Sequence, residues 1–95
     1  MKKQERADII SAYKKMRAFV KSKRFGAFHW QRNGLCHILD ELYFSGSISY
    51  SAEEYIRDVI RKLRSKANTA YLWSPGVRAP RVKWINEQIK KLEKK

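Results

Sequence analysis

The chain of 95 residues has little of what several classes of protein require. Its single cysteine, Cys36, cannot form an intrachain disulfide, and nothing in the sequence points to an oxidising compartment. No apolar run approaches the roughly 18 residues that span a bilayer. Polar residues interrupt the apolar stretch that a signal peptide would need after MKKQERAD. We therefore expect a cytoplasmic protein with no membrane partner.

The motifs of common enzymes are also missing. The sequence contains no glycine-rich phosphate loop and no HxE or clustered-acid nuclease pattern. The thiol and imidazole ligands number three, His29, Cys36 and His37, whereas a structural zinc site usually needs four. A Cys36–His37 nucleophile would need a third group such as Asp40 to orient the base, and Cys36 falls close to an apolar helical run, where small buried cysteines are ordinary. We expect no metal, cofactor, small-molecule substrate or catalysis.

Acidic residues are scarce, and this scarcity is the dominant feature of the composition. Nine Asp and Glu face 22 Lys and Arg, which gives a formal net charge of +13 and a pI near 10.2. A field of that sign attracts polyanions and opposes self-association. The charge is uneven, because residues 1–32 carry 10 basic and 2 acidic groups, residues 33–56 carry 4 acidic groups and no basic one, and residues 57–95 carry 12 and 3. Nucleic acid, an acidic protein surface and an anionic membrane are therefore the partners to consider. The membrane is the weakest of the three, because the core needs the aliphatic residues and Trp84 of the polybasic last helix.

The hydrophobic pattern predicts one all-α domain over residues 1–95. Hydrophobic residues make up 43% of the chain, enough for one small core. Apolar residues recur at helical spacing over residues 4–24, 34–45, 51–66 and from Pro80 onward. We expect a compact bundle of about four helices around a central helical hairpin, residues 34–63. The Ser-Pro-Gly-Val turn leaves room for a short β-hairpin near residues 70–78.

The ends of these helices carry recognisable signals. Gly26 is expected to end the first helix, and Gly46 suits the carboxyl-terminal cap of the second. Ser51 and Glu54 have the spacing of a capping box, which would start the third helix. Pro80 suits the first residue of the last helix.

A set of less generic positions then suggests a family. The sequence has GLC before an apolar helix, then Gly46, Ile48 and Ser49 before a helix with Tyr and Glu, then Trp73, and finally Pro80-Arg81-x-x-Trp84-Ile85. This pattern, over residues 33–92, resembles small uncharacterised basic proteins of tailed bacteriophages. The resemblance implies a phage accessory protein that acts in the cytoplasm of the bacterial host. It implies no activity and carries over no functional residue.

The predicted hairpin resembles a DNA-binding helix-turn-helix in length, but two features argue against sequence-specific binding. Its turn, residues 46–50, is longer than the usual three to four residues. The turn of helix that would contact bases offers Glu53 and Glu54, which phosphates repel.

Phosphate contact that tolerates any sequence is the first functional hypothesis. Basic residues follow helical spacing on the first and third predicted helices and continue toward the last one. Phe25, Phe28 and Trp30 could add stacking surfaces. The candidate nucleic-acid-binding residues are Lys14, Arg17, Lys21, Arg24, Arg57, Arg61, Arg64, Arg78 and Arg81.

Arg81 stands out because a cation in the first turn of a helix opposes the helix dipole. Two explanations are open: a functional role, or an ion pair with the acidic middle of the chain.

The second hypothesis is a protein inhibitor that docks on an acidic face of a bacterial host enzyme or defence complex. Interfaces favour Trp and Arg, so the anchors would be Phe28, Trp30, Trp73 and Arg78. Both hypotheses describe a binding protein and stay open at this point.

Overall fold

The computed structural model describes residues 1–22, 34–64 and 78–94. In these ranges the chain forms four α-helices and no strand: α1 (Lys3–Lys21), α2 (Gly34–Phe44), α3 (Tyr50–Arg64) and α4 (Arg78–Glu93). The predicted all-α fold is confirmed. The aromatic residues Phe25, Phe28 and Trp30 and the short β-hairpin predicted near residues 70–78 lie outside the described residues, apart from Arg78, which belongs to α4.

Helix α1 holds the bundle together. It packs most extensively on α4 and also contacts α3 and α2, while α2 packs on α3 as the predicted hairpin. The predicted face of α1, Ile9, Tyr13, Met16 and Val20, is buried. Ala12 and Phe19 are buried as well and widen the apolar stripe, as expected for a helix that contacts three others.

The end of α1 differs from the prediction. The helix ends at Lys21, and Ser22 is already extended. Both the backbone N–H and the hydroxyl of Ser22 donate to the carbonyl of Phe19, at 3.1 and 2.7 Å. A serine that bonds the backbone three residues earlier competes with helix continuation, so the helix ends before Gly26 is reached.

The predicted cap at Gly46 is confirmed. Gly46 has φ +76°, its N–H donates to the carbonyl of Tyr43 at 3.0 Å, and the N–H of Ser47 donates to the carbonyl of Leu42 at 2.9 Å. These two bonds form a Schellman motif, which satisfies the last carbonyls of α2.

The start of α3 lies earlier than predicted. The cap is Ser49 rather than Ser51, because the Ser49 hydroxyl accepts from the N–H of Ala52 at 3.2 Å. Tyr50 is then the first helical residue. Glu54 is exposed, and the buried carboxylate is that of Glu53. The Ser-x-x-Glu pattern was present, but a second serine two residues earlier took the cap position.

Helix α4 begins two residues before Pro80. Proline is tolerated there because the first turn of a helix needs no donor from its backbone nitrogens. Its apolar residues Trp84, Ile85, Ile89 and Leu92 are buried, and Val82 packs against the same core. All four described helices contribute to this one hydrophobic cluster.

Candidate functional site

Arg57, predicted to contact phosphates, is bound within the protein. Its Nε donates to Glu53 Oε1 at 2.5 Å, and its Nη2 donates to Asp40 Oδ1 on α2. Burial by itself would lower the pKa of Arg57, but the hydrogen bonds and charges of Glu53 and Asp40 raise it on balance. This arginine therefore fixes α3 to α2, and its charge is already compensated by two carboxylates.

Arg61, the next of the predicted phosphate-binding residues on α3, is exposed and surrounded by acidic residues. It lines a depression with Glu54, Tyr55 and Asp58. A neighbouring depression brings Glu5 and Asp8 of α1 to the amino-terminal end of α3. The fold thus gathers acidic residues from two helices around the start of α3, which weakens the case for phosphate contacts by Arg61.

The carboxyl-terminal part of α1 is different, because no acidic residue follows Asp8 until Asp40. Lys14 and Lys21 are exposed there. Lys21 lies beside α4 at a groove of about 640 Å³, which we call the basic groove. Its lining residues are Lys21, Ala79, Val82, Lys83, Asn86, Glu87 and Lys90.

The basic groove combines an apolar floor with a charged rim. Ala79 and Val82 supply apolar surface, to which the aliphatic stems of the lysines add. Of the described residues, three lysines and one glutamate line it, so their summed charge is positive. Its volume falls within the range of about 300–1,000 Å³ that is usual for binding clefts.

Arg17 supports one wall of this groove. Its Nη1 donates to Asn86 Oδ1 at 2.7 Å, which ties α1 to α4 directly beside the groove. The side chain is half-buried, so this predicted contact residue also positions the two helices.

Arg81 lies in the interior, with no accessible surface. Burial lowers its pKa from the ordinary value to about 10. Among the described residues, no buried side-chain nitrogen or oxygen lacks a hydrogen-bond partner, so its guanidinium is satisfied. The prediction of a surface phosphate contact at Arg81 is wrong for this conformation, because the helix turns this residue into the core.

Arg24, Phe28, Trp30 and Trp73 lie outside the described residues, and of Arg64 and Arg78 only the helical backbone is described.

Sequence reasoning missed two residues of the basic groove, Lys83 and Lys90. They lie seven residues apart on α4, so helical spacing alone predicts that they share one face of the helix. What the sequence did not contain was the packing of α4 on α1, which brings that face to Lys21.

The residues weighed for catalysis form no metal site in the part of the chain that is described. Cys36 and His37 are half-buried on α2, and Cys36 packs against the core. Across residues 1–22, 34–64 and 78–94, no group of three or more His, Cys, Asp or Glu side chains is placed to hold a metal ion. Within the same ranges, no helix has the length and apolarity needed to cross a bilayer.

No family model, curated protein or solved structure matches the chain. Any functional assignment therefore has to come from the chemistry of the described surface.

Proposed function

We propose that this chain is a non-enzymatic accessory protein of the phage type, which binds nucleic acid or a nucleoprotein complex through phosphate contacts in the host cytoplasm. One observation supports this proposal most directly. Lys21 of α1 and Lys83 and Lys90 of α4 line one groove, while most of the acidic residues lie on α2, α3 and the first turns of α1.

The proposed phosphate-binding surface consists of Lys14 and Lys21 on α1 with Lys83 and Lys90 on α4. Lysine ammonium groups on flexible stems adapt to a phosphate backbone without requiring a particular base sequence. Arg17 holds the two helices at the correct separation through Asn86. Arg57 and Arg81 are left out, since the first is paired with carboxylates and the second is buried.

The test is the salt dependence of binding to duplex DNA, single-stranded DNA and RNA. A triple variant, Lys21→Gln, Lys83→Gln and Lys90→Gln, removes the rim charges of the basic groove. A matched control, Lys2→Gln, Lys3→Gln and Lys62→Gln, lowers the net charge equally at exposed lysines that do not line it.

We expect the logarithm of the binding constant to fall with the logarithm of salt concentration by about 0.9 for each phosphate contacted on duplex DNA. In the groove variant the magnitude of this slope should decrease by up to about 2.7, the value for three lost phosphate contacts. In the control variant the decrease should be clearly smaller. Equal losses in both variants would contradict a localised surface. Absence of retardation at low salt for all three nucleic acids would overturn the proposal.

The second candidate function, docking on an acidic face of a host enzyme or defence complex, is favoured by the apolar floor at Ala79 and Val82. Phosphate groups form polar contacts and gain nothing from apolar surface, whereas protein interfaces bury apolar surface at their centre. Affinity purification from nuclease-treated bacterial lysate separates the two. A partner that survives nuclease and is lost in the groove variant supports protein docking, while loss of all partners on nuclease treatment supports nucleic acid.

A further inference from the structure

An exposed aromatic cluster lies at the turn between α2 and α3. Phe44 is 81% exposed and Tyr50 is 61% exposed. Tyr43 bridges them, with ring centroids 5.5 Å from Phe44 and 6.0 Å from Tyr50. Tyr43 is half-buried, so two exposed rings and one half-buried ring lie side by side. Contiguous exposed apolar patches of this kind mark interaction sites. We call these three residues the aromatic tip.

Nucleic acid is a poor occupant for the aromatic tip. Stacking platforms for bases lie in positively charged grooves. Here no Lys or Arg occurs between residues 33 and 56. One lysine of α1, Lys15, reaches the turn, where its ammonium group donates to the carbonyl of Ser47. Glu41 and Glu54 are exposed one helical turn from Phe44 and Tyr50, and they would repel a phosphate backbone.

The same features fit a partner with an apolar pocket and a basic rim. The basic groove has both, with Ala79 and Val82 in its floor and Lys21, Lys83 and Lys90 around it. The tip and the groove are thus complementary in polarity and in charge. Within one molecule they do not meet, because neither Tyr43, Phe44 nor Tyr50 lines the groove.

We propose that the aromatic tip of one copy of this chain docks in the basic groove of a second copy. The two surfaces are different, so the contact is heterologous, and each added copy presents a free tip and a free groove. Association therefore continues beyond a dimer unless the geometry closes a ring. The net charge of +13 opposes it, and salt at about 0.15 M, with a Debye length of about 8 Å, screens this repulsion.

The test is sedimentation of the purified, nuclease-treated full chain over a concentration series up to about 1 mM, at about 0.15 M ionic strength. Phe44→Ser removes the exposed ring at the tip. Ala79→Glu places a carboxylate in the groove at an exposed position of the first helical turn, where an acidic residue suits the helix dipole. Ala7→Glu, the same change at an exposed alanine that does not line the groove, is the control.

The wild type and Ala7→Glu should show an average mass that rises with concentration past the dimer. Phe44→Ser alone and Ala79→Glu alone should associate at least about tenfold more weakly, since each lacks one half of the contact. An equimolar mixture of the two should form a one-to-one dimer and stop there, because one intact tip and one intact groove remain between the partners.

Three results would overturn the proposal: a wild type that stays monomeric throughout, a Phe44→Ser variant that associates as the wild type does, or a mixture that forms no dimer. Dimers of Ala79→Glu alone would instead show that tips pair with tips. The measurement contains no nucleic acid, so its outcome is independent of the proposed function.

Discussion

Tyr13 of α1 and Trp84 of α4 meet edge to face, with ring centroids 6.1 Å apart and an angle of 77° between the ring planes. Both residues are buried. They join the two helices that pack most extensively and that line the basic groove. The aromatic pair therefore joins the two helices between which the groove lies.

The pair should contribute a measurable coupling energy. We expect a double-mutant cycle of Tyr13→Leu and Trp84→Leu to give about 0.5–1.5 kcal/mol of interaction in the free energy of unfolding, beyond the loss of buried area. Urea denaturation measures it. Tyr50→Leu, at an exposed ring that contacts Tyr43 instead, should be additive with Trp84→Leu, and coupling of similar size there would contradict the assignment.

Burial of Tyr13 should make the protein less stable in alkaline solution. Desolvation in the core, with a smaller effect of Tyr55, raises the pKa of Tyr13 above its ordinary value. The unfolded chain therefore loses the phenol proton first, and stability that is fully present below about pH 10 is lost as the pH rises beyond it.

At about pH 11 this loss should reach about 1 kcal/mol for the wild type relative to its own value at about pH 8. Tyr13→Phe should lack this contribution, whereas Tyr50→Phe, at an exposed tyrosine, should keep it. Unfolding by urea at the two pH values gives the comparison. A Tyr13→Phe variant with the same pH dependence as the wild type would show that other groups account for it.

The arginine bridge between α2 and α3 should be worth more than a surface ion pair. Arg57→Met leaves the buried carboxylate of Glu53 without its donor, which should cost about 1–3 kcal/mol of unfolding free energy. Lys62→Met, which breaks the exposed pair with Asp58, should cost about 1 kcal/mol or less.

A second substitution tests the cause. If the uncompensated charge of Glu53 is what destabilises Arg57→Met, then adding Glu53→Gln should recover part of the loss. If the losses of unfolding free energy in Arg57→Met and Glu53→Gln simply add in the double variant, Arg57 stabilises the hairpin by packing alone.

At position 46 only the backbone conformation, and not the available space, should restrict the residue type. A Cβ at this position would meet no atom within 4 Å, so Gly46→Ala introduces no clash with neighbours. The cost comes from φ +76°, and we expect a loss of about 1–2 kcal/mol, seen as a lower Tm. Gly46→Asn should lose less, because asparagine tolerates the left-handed region, and an equal loss would point to another cause.

Local signals in the sequence were sufficient for much of the fold. Helical spacing of apolar residues predicted all four described helices and their buried faces, since a helix that must bury one side shows that side in its sequence. The cap at Gly46 was predictable because only a few residue types adopt a positive φ. Helix starts were less secure: Ser49 and Ser51 are chemically equal, and the choice between them depends on how the chain enters α3 from the turn.

The candidate site was predictable only in part. Composition and charge distribution predicted a basic surface; of its predicted residues, Lys14 and Lys21 are exposed, and Lys21 lines the basic groove. The predicted phosphate-binding arginines of α3 lie in an acidic environment. Arg57 forms an ion pair with Asp40 of α2, and Arg61 lines a depression with acidic residues. The pair of Arg57 with Asp40 joins residues far apart in sequence, which no local pattern encodes, whereas Glu54 and Asp58 precede Arg61 on the same helix.

The sequence by itself determined the excess of positive charge, the helical character of the chain and the punctuation around Gly46, because each depends on composition or on neighbouring residues. Only the tertiary structure decided that α4 rather than α3 completes the groove beside Lys21, that Arg81 is buried and that Phe44 is exposed. These outcomes depend on which helix faces meet, and the packing of several faces at once, rather than any single stretch, settles that choice.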